Sequence, residues 1–128
     1  MALKDLIVDQ EVIEEELIEK IVSPYVRYDP KQKLVVLVND GDRLDISQKI
    51  TVYLLALKGW RFIEGGKDMP LEAFPKEISA AIVENGSTVR NHLQVLRREG
   101  VINKTPSGKY TILPQGVNRV KKLLKFSE

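Results

Sequence analysis

The stretch that decides the fold runs from Glu77 to Lys125: EISAAIVENGSTVRNHLQVLRREGVINKTPSGKYTILPQGVNRVKKLLK. Pro75 suits the first turn of a helix, where no amide hydrogen bond is lost, and Ile78, Ala81 and Ile82 give that short helix an apolar face. Glu84-Asn85-Gly86 breaks it, with Asn85 or Gly86 expected at positive φ. Ser87 is expected to cap a second helix, Thr88 to Glu99. Asn-Gly is also a hairpin signal, but its flanks have a helical period and not a two-residue one. Gly100 ends the second helix. Val101 to Lys104 and Lys109 to Leu113 then read as two strands joined by Pro106-Ser107-Gly108. Pro114-Gln115-Gly116 opens a last helix, with Val117, Val120, Leu123 and Leu124 inward and Arg119, Lys121, Lys122 and Lys125 mostly outward.

At about 100° per residue, Val89, Leu93 and Leu96 fall on one side of the second helix. Ser87, Asn91, Gln94 and Arg98 project opposite them, with Arg90 beside. Asn and Gln can bond adenine edges bidentately, and Arg can do the same with guanine. A helix N-terminus with hydroxyls also suits phosphate. Exposed helix faces are polar in any case. What separates this one is that no acid interrupts it before Glu99. Lys104 and Lys109 flank the hairpin tip, as expected of a hairpin held against phosphate backbone.

These residues need a partner for their core. ISQKITVYLLALKG, residues 46–59, is apolar at nearly every position from Ile50 to Leu57, the pattern of a helix central to a core. Asp45 or Ser47 can cap it. Trp60, Phe62 and Ile63 continue the burial; Trp60 could stack on a ligand, but a core anchor is the commoner role. Glu64-Gly65-Gly66-Lys67-Asp68 is a loop, and GGK lacks the spacing and hydroxyl of a phosphate loop. Met69 to Ala73 is either a short strand or the approach to the next helix.

PKEISAAIVENGSTVRNHLQVLRREGVINKTPSGKYTILPQG resembles the second helix, recognition helix and wing of winged helix-turn-helix DNA-binding domains, found in bacterial and archaeal transcription regulators. The likeness includes LQVLRREGVI and the GKY return strand. With ITVYLLALKG as first helix it covers roughly residues 46–126. The resemblance implies an α+β fold: a three-helix core, a β-hairpin wing and a C-terminal helix. It implies base-reading roles for Ser87, Thr88, Arg90, Asn91 and Gln94 in the major groove, and backbone roles for Lys104 and Lys109. The long segment between Gly59 and Pro75 departs from the simplest pattern, and the first forty-odd residues match no part of it.

Those first residues form an extension. Leu6, Ile7, Ile13, Leu17, Ile18 and Ile21 have helical spacing from about Lys4 to Val22, and Ser23-Pro24 ends that helix. Glu14, Glu15 and Glu16 point about 100° apart, so they cannot converge on one ion and read as a solvated face. Tyr25 to Tyr28 and Lys33 to Val38 are strand-like around Asp29-Pro30-Lys31-Gln32. The continuous LVVLV is the pattern of a strand covered on both faces. Asn39-Asp40-Gly41-Asp42 lacks the later ligands of a calcium loop. Residues 1–45 are thus expected to be an N-terminal helix plus β-hairpin serving dimerisation or control, and residues 46–128 the DNA-binding domain.

Charge follows the same division. Residues 1–46 hold six basic and eleven acidic side chains, whereas residues 88–125 hold nine basic ones against Glu99 alone. An acidic start and a basic end suggest a polyanion-binding half, although two ordinary solvated faces would give the same tally. With 128 residues and no cysteine, disulfides and thiolate metal sites are excluded, and a reducing compartment is the natural fit. The acids near the start leave no apolar core for a signal peptide, and no apolar run approaches a membrane span. A cytoplasmic protein is expected. The one histidine, His92, borders the apolar side of its helix and reads as a packing residue, so neither an enzyme nor a cofactor is expected. The leading expectation is a homodimeric, sequence-specific binder of double-stranded DNA that regulates transcription. The alternative is a winged-helix module for protein–protein assembly, with no specific DNA site.

Overall fold

The computed structural model describes residues 10–38, 44–63, 65–66 and 68–123, and shows an α+β arrangement of five helices and two antiparallel hairpins. Helix α1 spans Gln10–Val22, hairpin strands β1 and β2 span Val26–Asp29 and Leu34–Leu37, and helix α2 spans Ile46–Gly59. A 3₁₀ turn, Trp60–Phe62, leads to helices α3 (Pro75–Ile82) and α4 (Gly86–Arg98). Strands β3 (Ile102–Lys104) and β4 (Tyr110–Ile112) precede helix α5 (Pro114–Leu123). None of the described helices is long and apolar enough to cross a membrane.

Helix α2 is central because it is apolar on every side: Ile50, Val52, Leu54, Leu55 and Ala56 are inaccessible to solvent. Burying each large aliphatic chain stabilises the fold by about 1.5–3 kcal/mol, so α2 must be covered all round. It is contacted by α1, β2, α3, α4, β4 and α5. The helix begins with a capping box: Gln48 N–H donates to the Asp45 carboxylate at 2.8 Å, and Asp45 N–H donates to Gln48 Oε1 at 2.9 Å. Of the two expected caps, Asp45 holds that role. Thr51, the one fully buried polar side chain among the described residues, donates back to the Ser47 and Gln48 carbonyls.

The N-terminal elements share this core. Ile18, Ile21 and Val22 of α1, Val26 of β1 and Val35 of β2 pack in the same apolar cluster as α2, α3 and α4. Tyr28 donates its hydroxyl to the Ala56 carbonyl at 2.6 Å and meets the Trp60 ring edge-on at 4.9 Å. Gly59 permits that approach, since a Cβ there would collide with the Tyr28 hydroxyl. Trp60 is 1% exposed, so its place is in the core. Glu15, Glu16 and Glu19 are exposed, whereas the helix expected over residues 4–9 and the loop over residues 39–43 lie outside the described residues.

Strand β2 departs from expectation. The pattern suggested cover on both faces, but only Val35 is buried, while Leu34 and Val36 are 49% and 45% exposed. One face of the hairpin packs on α2, and no second layer covers the other among the described residues. Met69 to Ala73 resolves into a single bridge: Ala73 and Tyr110 exchange both backbone hydrogen bonds, at 3.1 and 2.7 Å, adding a third chain segment beside β4.

The link from α3 to α4 also differs from its sequence reading. Positive φ falls at Val83 (56°), not at Asn85 or Gly86, and Asn85 is extended. Asn85 rather than Ser87 caps the next helix, which therefore starts at Gly86. Val83 is 85% exposed, so no burial offsets a left-handed backbone on a β-branched residue, which costs about 1–2 kcal/mol. Gly100, at φ 78°, ends α4 as expected.

Two outcomes follow for stability. Val83→Gly should raise the urea-unfolding free energy by about 0.5–1 kcal/mol, the left-handed strain less the extra entropy of an unfolded glycine. Burial pushes the Tyr28 phenol above its ordinary value of 10.0, and burial followed by the Glu77 charge does the same for Tyr53. Below pH 10 these phenols are neutral in both states. Above it, the unfolded chain loses protons that the folded one keeps, so stability falls with rising pH. Unfolding measured from about pH 9 to 11.5 should show this decline, and Tyr28→Phe should show a shallower one.

Candidate functional site

Helix α4 is anchored by Val89, Leu93 and Leu96, all buried, so its opposite side faces solvent. Ser87, Arg90, Asn91, Gln94 and Arg98 are all exposed there. These are the positions expected to be presented together. Thr88 sits at the margin and is half-buried. Val95, 43% exposed, is the one large apolar side chain among them.

The first turn of α4 is held from within the chain. Asn85 Oδ1 accepts from Ser87 N–H at 2.9 Å, Thr88 N–H at 3.4 Å and the Ser87 hydroxyl at 2.7 Å. The amides that a phosphate would seek at this helix start are therefore partly satisfied, and Ser87 keeps only its acceptor capacity free. The distal residues Asn91, Gln94 and Arg98 have no such commitments among the described residues.

Two polar contacts fix α3 and α4 against α2. Lys49 forms an ion pair with Glu84 at 2.8 Å, with both side chains largely covered. Ser47 Oγ lies 2.8 Å from His92 Nδ1, the donor depending on which ring nitrogen holds the proton. His92 is thus a packing residue with a polar tether. Glu84, the acid nearest the start of α4, is neutralised by Lys49, and Glu99 at its end pairs with Arg119 at 3.0 Å. Neither acid competes for the exposed face.

The β3–β4 hairpin turns tightly over Thr105 to Gly108. Gly108 N–H donates to the Thr105 carbonyl at 2.9 Å, and Thr105 N–H to the Lys109 carbonyl at 2.7 Å. The Thr105 hydroxyl reaches Ser107 Oγ at 2.9 Å and accepts from Lys109 N–H at 3.2 Å. Pro106 and Gly108 occupy the turn positions they favour.

The two expected hairpin lysines are separated. Lys104 pairs across the ladder with Tyr110, and both face a cleft of about 500 Å³ shared with Gln94, Arg97 and Arg98 of α4. Lys109 instead lies 5.3 Å above the Phe74 ring, at the start of α3. Arg97 and Tyr110 were absent from the expected site. Arg97 was legible as charge but not as a wall of this cleft. Tyr110 enters because the Lys104–Tyr110 rung docks beside α4, which no local pattern specifies. Of the basic residues expected on the outside of the last helix, Arg119 is exposed; the side chains of Lys121, Lys122 and Lys125 lie outside the described residues.

No protein-family model matches this chain, and no curated protein or solved structure matches it significantly.

Removing the Asn85 cap should unseat the first turn of α4. Asn85→Ala is expected to lower the urea-unfolding free energy by about 1 kcal/mol, and Asn85→Asp to preserve it. Equal stability of all three proteins would show that Asn85 does not hold the turn.

Proposed function

We propose that this chain is a winged helix-turn-helix protein that binds double-stranded DNA sequence-specifically and regulates transcription. In this reading α4 enters the major groove and the β3–β4 hairpin meets the backbone. The order α2, Ala73 bridge, α3, α4, β3, β4 supports it, because that is the succession of core helix, short strand, helix pair and wing. The observation that carries it is the exposed face of α4. It presents one amide pair and several guanidinium groups with no acid among them, and the two flanking acids are already paired.

The roles follow from side-chain chemistry. Asn91 and Gln94 suit adenine edges, and Arg90 and Arg98 suit guanine edges or phosphate. Ser87 and Thr88 lie where the helix start approaches the groove. Lys104 and Lys109 supply charge to the backbone, so their loss reduces the salt dependence of binding. Two copies would match two half-sites one helical turn apart, and a homodimer is part of the proposal.

Selection from a random duplex pool at physiological salt is the decisive experiment. The expected result is a recovered motif in two half-sites. Replacing Arg90, Asn91 and Gln94 together by alanine should abolish that motif preference while circular dichroism and melting stay close to wild type. Selection of the same motif by the triple variant would sink the assignment of α4. Absence of duplex binding even at low salt, with a stable protein complex in its place, would favour an assembly module.

A further inference from the structure

The cleft between α4 and the β3–β4 hairpin borders the base-reading face, shares Gln94 and Arg98 with it, and adds Arg97, Lys104 and Tyr110. Its lining, Gln94, Arg97, Arg98, Lys104 and Tyr110, holds three cations, an amide and a phenol, with no carboxylate. None of these five side chains makes a hydrogen bond or ion pair with any described residue. Glu99, the nearest acid in sequence, is turned to Arg119 at 3.0 Å. Three cations held together repel one another, and an anion between them relieves that repulsion.

Tyr110 is the unusual member. Its side chain is nearly buried, at the turn end of the β3–β4 ladder, yet its hydroxyl has no partner among the described residues. Buried phenols ordinarily find a hydrogen-bond partner. The β3–β4 ladder and the Ala73 bridge fix its backbone and burial restrains its ring, so the hydroxyl is a positioned donor, unlike the long cationic side chains around it. A fixed donor ringed by cations suits the tetrahedral oxygens of a phosphate, because charge-assisted hydrogen bonds gain most when the donor is already in place.

We propose that this cleft is a phosphate-binding site, taking one DNA backbone phosphodiester between Tyr110, Arg97, Arg98 and Lys104. It rests on the DNA-binding reading above and adds to it a specific phosphate contact, with Tyr110 and Arg97 as its positioning residues. The clamp joins the hairpin to the C-terminal half of α4 through the ligand. It thereby sets the register in which Asn91 and Gln94 meet the bases.

The test uses a duplex recovered by selection, with single methylphosphonates scanned along both strands, against the wild-type protein, Tyr110→Phe and Arg97→Gln. Tyr110→Phe should weaken binding about tenfold, the effect of one lost hydrogen bond to a charged group, with motif preference and salt slope unchanged. Arg97→Gln, at an exposed position that leaves the core untouched, should lower the salt slope by about one. One methylphosphonate position should lose at least as much affinity as Tyr110→Phe, and adding Tyr110→Phe at that position should cost much less than it does on the unmodified duplex. Wild-type affinity in both variants, or full additivity at every phosphate, would overturn the clamp and leave DNA recognition standing. Failure to bind any duplex would remove both. A free phosphate has the same chemistry, so inorganic phosphate is titrated at constant ionic strength against chloride. Saturable thermal stabilisation that Arg97→Gln abolishes, together with additive methylphosphonate effects, would assign the cleft to a free ligand and overturn the backbone assignment.

Discussion

Everything in this protein depends on the need to cover helix α2 from all sides. A helix apolar around its whole circumference cannot lie at a surface, and no single neighbour can shield it. The α3–α4 pair, the β3–β4 hairpin and α5 provide one part of that cover. The remainder comes from α1 and β2, with Tyr28 of β1 reaching the Ala56 carbonyl. The N-terminal extension therefore belongs to the same apolar cluster as the helix pair. Any change in how α1 or the first hairpin packs on α2 bears on the platform from which α4 projects.

The exposed face of α4 is a by-product of that packing, set in place by a few polar contacts. Burial of Val89, Leu93 and Leu96 determines which side of α4 is exposed. The Lys49–Glu84 and Ser47–His92 contacts then fix its position and dispose of an acid that would repel a polyanion. Arg119 does the same for Glu99. Pairing the acids within the protein leaves the cations beside them free of partners among the described residues. A positive surface of this kind arises from where the negative charges are committed as much as from the count of lysines and arginines.

Legibility in the sequence tracked the range of the interaction involved. Periodicity located α2, α3, α4 and both hairpins, because amphipathic spacing is a property of neighbouring residues. It also selected the exposed face of α4, since knowing the buried side of a helix specifies its opposite. The capping detail at Asn85 was missed because Asn85, Gly86 and Ser87 are all plausible at a helix start. Val83 was unreadable for a stronger reason: a β-branched residue is a poor choice for left-handed backbone, so propensity argued against the conformation observed. The exposed Leu34 and Val36 were misread because a run of apolar residues does not reveal whether a second layer is present.

By itself the sequence determined an α+β chain with an apolar central helix, a basic C-terminal half and an acid-free polar face on α4. Those are local facts of composition and spacing, available before any contact is known. Tertiary structure decided which distant residues share a surface. It brought Tyr110 and Lys104 against Gln94, Arg97 and Arg98, and drew Lys109 away to Phe74. The reason is physical: the turn sets the hairpin's register locally, but the docking of hairpin on helix is set by the packing of the whole core, and no short window of residues contains that information.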